Sequence, residues 1–190
     1  ANDESMKYKK SDLSLKIKHS EFYRSLKIKK SKNKNLKNSS NYIFIVGMPR
    51  SGSTLLENIL SLNPEVTDMG EVNFLEESIK EAKDFEDVYD LYQKKVINQF
   101  QSSIIYTDKN LFNYMYCAVI SNFFPKARII NCIRNPLDNI LSIYKANFLK
   151  QSFSFSLTDI SSLYLHYFET MEEYKIKFGG NIYDYYYEDL

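Results

Sequence analysis

The run Tyr42-Ile-Phe-Ile-Val-Gly-Met-Pro-Arg-Ser-Gly-Ser-Thr-Leu-Leu56 begins as an unbroken apolar segment and turns at Gly47 into a short loop rich in glycine and hydroxyl residues. A short apolar run of this kind reads as a buried strand. Leu55, Leu56, Ile59 and Leu60 then recur at helical spacing, which predicts a helix burying that stripe. A strand that turns sharply into a helix presents the first helical N–H groups, which have no partner of their own. Those donors and the positive end of the helix dipole favour an anion. Gly47 and Gly52 let the backbone approach such a ligand, and Ser51, Ser53 and Thr54 add hydroxyl donors. The segment is therefore read as a phosphate-binding loop. A glycine-containing turn without a ligand is the plain alternative.

The triphosphatase form of such a loop is G-x-x-x-x-G-K-[ST], in which the lysine reaches the β- and γ-phosphates. Gly47, Gly52 and Thr54 keep that spacing, but Ser53 stands where the lysine belongs, and the positive charge sits earlier, at Arg50. The anion cradle is retained while the triphosphate's point charge is lost, which points to a different phosphate-bearing ligand.

Three further segments carry chemistry. Ala127 to Tyr144 is a second strand-to-helix passage, with Arg134 at the strand's carboxyl end, Pro136 suited to a first helical turn, and Leu137, Ile140, Leu141 and Tyr144 as the apolar stripe. Arg134 offers a planar fork for an oxyanion, or alternatively pairs with Asp138. Ser103 to Phe112 gives a short strand ending in Asp108-Lys109; Asp108 is also readable as a magnesium-binding acid under a triphosphatase reading. Gly70-Glu71 precedes a predicted helix, where Glu71 favours the helix dipole if it has no other task.

Taken together, these motifs resemble sulfotransferases that use 3′-phosphoadenosine 5′-phosphosulfate. Pro49-Arg50-Ser51-Gly52-Ser53-Thr54 is similar to the 5′-phosphosulfate loop in the arginine-containing form found in protein-tyrosine sulfotransferases and in bacterial sulfotransferases linked to tetratricopeptide repeats. The resemblance covers residues 41–190. It implies that Arg50 to Thr54 hold the 5′-phosphosulfate, that Arg134 and Ser142 hold the 3′-phosphate, and that Glu71 is the base. It further implies that Lys109 lies on the sulfuryl group and that Tyr187, in Tyr187-Glu-Asp-Leu190, approaches the adenine. A tyrosine hydroxyl, with a pKa of about 10, needs such a base near neutral pH. The implied acceptor is a hydroxyl group on a peptide tyrosine, a carbohydrate or a small alcohol, and no metal is required. A nucleotide kinase or triphosphatase, and a non-catalytic nucleotide-binding fragment, stand as alternatives.

From residue 41 onward, strands are expected near 42–47, 104–107, 128–133 and 182–187, with a weak one at 65–69. Helices are expected near 53–62, 72–81, 85–100, 111–122, 136–147 and 157–177. This alternation predicts an α/β fold, a parallel sheet with helices on both faces; the resemblance makes it a P-loop kinase-like sheet. The strand order is left open.

Within 190 residues of net charge +1, residues 1–40 hold 12 Lys or Arg against 4 Asp or Glu, giving +8, and residues 41–190 carry −7. Residues 1–40 are read as a basic helical and linker segment, the end of a preceding helical region, with Lys27–Lys37 as a solvated tether. Nucleic-acid binding is not expected, since the arm lacks a base-stacking platform. No apolar run reaches the ~18 residues of a membrane span. Cys117 and Cys132 lack metal-ligand spacing and read as small buried hydrophobes. The chain begins at Ala1 and ends directly after a predicted strand, so a fragment truncated at its carboxyl end is expected, located in the cytoplasm if the source is bacterial. Its oligomeric state is not legible.

Overall fold

A computed structural model describes residues 11–28, 41–101, 103–148 and 151–189. Five strands, β1 (Asn41–Gly47), β2 (Val66–Asp68), β3 (Ile105–Asp108), β4 (Arg128–Ile133) and β5 (Ile182–Tyr186), form one sheet in the order β2-β3-β1-β4-β5. Every pairing is parallel. The helices are α1 (Leu13–Ser25), α2 (Ser53–Leu60), α3 (Phe74–Glu81), α4 (Val88–Gln99), α5 (Cys117–Phe123), α6 (Pro136–Ala146) and α7 (Leu157–Phe178). The expected fold class holds.

Register determines what the sheet presents. Phe44 pairs with Asp108 on one side of β1, and Gly47 with Cys132 on the other. The loops after β1, β3 and β4 therefore leave the same carboxyl edge side by side. The chain reverses direction across the sheet at β1, between β3 and β4, which is where open α/β sheets form their ligand crevice.

Alternation along β1 divides its side chains between two layers. Tyr42, Phe44, Val46 and Met48 enter the larger core with Tyr92, Val96, Val119, Ile120, Ile160 and Leu163. Ile43 and Ile45 meet Leu56, Leu60, Ile130, Cys132 and Tyr185 on the other face. The larger core is unusually aromatic: Phe124 lies 5.4 Å from Phe44, 5.2 Å from Tyr92 and 5.4 Å from Tyr89, ring centre to ring centre, all edge-on. Such pairs add about 0.5–1.5 kcal/mol each beyond simple burial. Cys117 and Cys132 are buried free thiols, and burial raises the pKa of both.

Several boundaries depart from expectation. The helix expected at 111–122 is wound as a 3₁₀ run over Leu111–Tyr116 before α5 begins. Its first residues are held to the sheet edge, Asn113 Nδ2 donating to Asp108 Oδ1 at 3.1 Å and Asn110 Nδ2 to the Val72 carbonyl at 3.1 Å. β5 stops at Tyr186, so Tyr187 opens a 3₁₀ turn instead of ending the strand. The start of the helix expected at 85–100 is a 3₁₀ turn, with the Asp84 side chain accepting from the Glu86 N–H.

Within the basic amino-terminal segment, α1 packs against the Leu111–Tyr116 run and α7. Asp12 Oδ1 accepts from Ser152 Oγ and the Phe153 N–H, and Lys16 Nζ sits 4.0 Å from the centre of the Phe112 ring. Apart from Lys27 and Ile28, the expected Lys27–Lys37 tether lies outside the described residues. Among the described residues, no helix is long and apolar enough to cross a membrane.

Asp108 closes β3 in a fully buried position. It accepts from the Tyr92 hydroxyl at 2.9 Å, the Asn110 N–H at 3.0 Å and Asn113 Nδ2. Burial outweighs these bonds and raises its carboxyl from the ordinary 3.8 to about 7.

Two outcomes follow from this packing. Phe124→Ala should lower the unfolding free energy by about 3–5 kcal/mol in urea denaturation. The folded protein holds the Asp108 proton more tightly than the unfolded chain does, so this group's contribution to stability falls as pH rises from about 4 to 7 and is level above that. Measured against Asp108→Asn over that window, the parent should lose ground steadily and then run parallel.

Candidate functional site

The β1–α2 loop adopts a backbone that few residues tolerate. Gly52 has φ +89°, and a Cβ there would fall 2.4 Å from Tyr187 Cδ2; Gly47 lies against the Cys132 carbonyl, where a Cβ would sit at 2.7 Å. Arg50 adopts φ +67°, which costs a non-glycine residue about 1–2 kcal/mol. The loop is held from the next strand-to-helix unit. Arg134 Nη1 donates to the Arg50 carbonyl at 3.1 Å, Asn139 Nδ2 to the Pro49 carbonyl at 2.9 Å, and Arg50 Nε to Ser142 Oγ at 3.2 Å. At about 1 kcal/mol net apiece, these bonds outweigh the strain.

The Arg134 guanidinium lies 4.7 Å from the centre of the Tyr187 ring, while Glu188 Oε1 accepts from the Asn135 N–H at 2.7 Å. The Tyr187-Glu188 turn thus braces the loop that carries Arg134. No side chain caps the start of α2, so its first N–H groups stay available to a ligand. Ser53 and Thr54 line the adjoining cleft, but Ser51 is buried, and its hydroxyl lies beneath the loop beside Gly47. That hydroxyl has no hydrogen-bond partner among the described residues.

The opposite wall comes from β2 and β3. Met69 N–H donates to the Thr107 carbonyl and Lys109 N–H to the Gly70 carbonyl, at 3.0 and 2.9 Å, extending the parallel pairing past β2. This places Glu71 beside Lys109, with Glu71 Oε1 2.9 Å from Lys109 Nζ. Lys109 is itself buried. Asp108, also considered as a magnesium acid, turns into the core and does not line the cleft.

A cleft of about 670 Å³ joins the two walls, bounded by Arg50, Gly52, Ser53, Thr54, Glu71, Asn110, Arg134 and Tyr187 among others. A second cavity of about 470 Å³ is lined by Arg50, Arg134, Asp138, Ser142 and Lys145. Arg50 and Arg134 line both, so the two spaces share a cationic divide. Neither arginine is paired with a carboxylate among the described residues, Asp138 included. Ser142 is bonded to Arg50, with Arg134 on the same cavity wall.

Half of each expected apolar stripe packs inward, Leu56 and Leu60 on α2 and Ile140 and Tyr144 on α6, and the other half does not. On α2, Leu55 and Ile59 are 44% and 42% exposed, and the buried face is Ser53, Leu56 and Glu57. On α6, Leu137 and Leu141 are exposed, and Asn139 and Ile143 are buried. In each helix a polar residue has taken an inward position because a partner waits there: Thr107 Oγ1 donates to Glu57 Oε1 at 3.0 Å, and Asn139 holds the loop. The displaced Leu55 and Leu141 line the cavities instead. Glu57 and Asn139 were the residues that sequence patterning missed. A carboxylate and an amide interrupting leucine-rich helices just after the two anion motifs were the only available signal.

Comparison with known proteins bears on the family and the fold. The sequence model of the Sulfotransferase family matches residues 42–103 and 85–190. An uncharacterized protein of Aquifex aeolicus (strain VF5) is 28% identical over 175 residues, a match covering 78% of this chain and 23% of that protein, so the chain spans about a quarter of its relative's length. Among solved structures, a sulfotransferase from Alicyclobacillus acidocaldarius superposes with a TM-score of 0.53 at 19% identity, covering 77% of this chain and 73% of that one. The Bacillus subtilis YorR protein in complex with phosphorylated GDP gives a TM-score of 0.46 at 15% identity, covering 76% and 84%. With the family's sequence model spanning residues 42–190 and a shared fold behind it, the chain belongs to the sulfotransferase family.

Proposed function

We propose that this domain transfers a sulfuryl group from 3′-phosphoadenosine 5′-phosphosulfate to a hydroxyl acceptor. The observation that carries the reading is the pair of carboxylate-free guanidiniums, Arg50 and Arg134, dividing two adjoining cavities beside an uncapped helix start. Such a site fits a ligand with anionic groups at two separated points. Backbone N–H groups of Gly52 to Thr54, with the Ser53 and Thr54 hydroxyls and Arg50, suit the 5′-phosphosulfate. Arg134, Ser142 and Lys145 suit the 3′-phosphate, with Arg134's planar fork able to donate twice to one group. Tyr187, already stacked with Arg134, offers its ring edge and remaining surface to the adenine.

When bound, this donor supplies an activated sulfuryl group on a phosphate leaving group. The chain supplies the rest. Glu71, exposed at the cleft, takes the acceptor's hydroxyl proton on its carboxylate. Lys109 and Arg50 hold positive charge where negative charge grows, already oriented by their neighbours. Residues Asn73, Asn110, Leu111, Phe112, Phe148 and Gln151 continue the cleft beyond Glu71 and form the acceptor's end. This mixture of amides and apolar surface suits a hydroxyl carried on a ring, and a peptide tyrosine is one acceptor of that kind.

Calorimetry should show 3′-phosphoadenosine 5′-phosphate binding roughly 10- to 100-fold more tightly than adenosine 5′-phosphate, the worth of a charge-assisted contact of about 1.5–3 kcal/mol. Arg134→Ala should bring that ratio close to one; equal affinities in the parent overturn the assignment of the second cavity. Glu71→Gln should keep nucleotide affinity while sulfuryl transfer, followed with labelled donor, falls by about 10²–10⁴-fold. Transfer at the parent rate removes Glu71 as the base.

A further inference from the structure

Lys109 has two carboxylate partners of opposite character. Glu71 approaches to 2.9 Å with a side chain 71% exposed, whereas Glu57 lies at 3.8 Å with a side chain only 5% exposed. Glu57 projects from the first turns of α2, the helix that begins at the anion loop. Besides Lys109 it meets Thr107 of β3 at 3.0 Å. One buried carboxylate on the helix after the anion loop therefore touches the end of β3 that delivers Lys109, whose backbone N–H in turn holds the Gly70 carbonyl beside Glu71. Burial raises its carboxyl pKa, opposed by the Thr107 bond and the Lys109 charge.

The reaction makes this arrangement consequential. A base that accepts the acceptor's proton becomes neutral, so Glu71 ceases to be a counter-ion at the moment Lys109 is needed. A buried ammonium left without its partner is costly to keep in place. Glu57 takes no proton from the acceptor, because it is sealed beneath Lys109 and does not line the cleft.

We infer that Glu57 is a positioning residue: it anchors Lys109, itself buried behind the cleft lining, so that the ammonium keeps its place beside Glu71 while Glu71 is protonated. This rests on the sulfuryl-transfer reading given above. It also accounts for a charge on a helix face that apolar residues would otherwise occupy, since a merely structural hydrogen bond to Thr107 does not require a carboxylate.

Glu57→Gln retains the side chain's volume and an acceptor for Thr107 while removing the charge. Sulfuryl transfer by this variant should show kcat lowered by about 10- to 100-fold, the scale of a small misplacement of a reacting group. KM for donor and acceptor, affinity for 3′-phosphoadenosine 5′-phosphate and thermal midpoint should stay near the parent's. A kcat within twofold of the parent, or a loss matched by lost nucleotide affinity or stability, overturns the inference. A second readout does not depend on turnover: acetylation of Lys109 by acetic anhydride, located by mass spectrometry. Lys109 should remain protected in Glu71→Gln and become at least several-fold more reactive in the Glu57→Gln, Glu71→Gln double variant. Loss of protection in Glu71→Gln alone makes Glu71 the anchor and sinks the idea. A parent that protects Lys109 through Glu57 yet transfers no sulfuryl group refutes the proposed reaction and leaves the Glu57–Lys109 pairing standing.

Discussion

The contact between the β1–α2 loop and β4 is the constraint from which the rest of the site follows. The register that sets Gly47 against Cys132 brings the two strand ends so close that a side chain at Gly47 has no room. That closeness lets α6 and the β4 loop reach across to the Pro49 and Arg50 carbonyls. A left-handed arginine is unstable by itself. Here its backbone is held by one arginine and its side chain by a serine eight residues further along, so the conformation is over-determined. The two strand-to-helix segments are thus one object, and each is needed to shape the other.

This mutual dependence explains what the sequence could and could not disclose. Arg50, Lys109 and Arg134 were legible because each ends an apolar run or sits in a glycine loop, and parallel α/β topology sends all such positions to one edge. The strand order was not legible, since adjacency in the sheet leaves no local trace. The faces of α2 and α6 were read in part, through Leu56, Leu60, Ile140 and Tyr144, and the rest was misread for a definite physical reason. Patterning places polar residues outward because an unpaired polar group is expensive to bury. Glu57 and Asn139 have partners 50 and 90 residues away, and only the assembled sheet supplies them. The Leu111–Tyr116 run was tightened for the same kind of reason, by amide side chains reaching back to the sheet edge.

The cleft also divides its charges by task. Arg50 and Arg134 stand in open cavities and are not paired with a carboxylate among the described residues, which a guanidinium tolerates because it is weakly hydrated and partly solvated, and their charge stays available to a ligand. Lys109 is buried and carries two counter-ions. An exposed cation needs no neutralising partner to persist, whereas a buried one does, and that difference separates the two walls of the cleft. The exposed member of the lysine's pair lines the cleft; the sealed member does not.

Such a site places a burden on the fold. A fully buried Asp108, a buried Glu57 and a strained Arg50 each oppose folding, and all lie within a few residues of the sheet's carboxyl edge. What offsets them is the aromatic layer on the adjoining face, where Tyr42, Phe44, Tyr92 and Phe124 interlock edge to face. Tyr92 joins the two directly: its ring belongs to the core, and its hydroxyl donates to Asp108. A phenylalanine there would pack as well but leave the carboxylate short of a donor in an apolar setting, at about 1–3 kcal/mol. The tyrosine therefore ties the aromatic core to the strand end that precedes Lys109, and the stability of this sheet and the placement of its charges are a single problem.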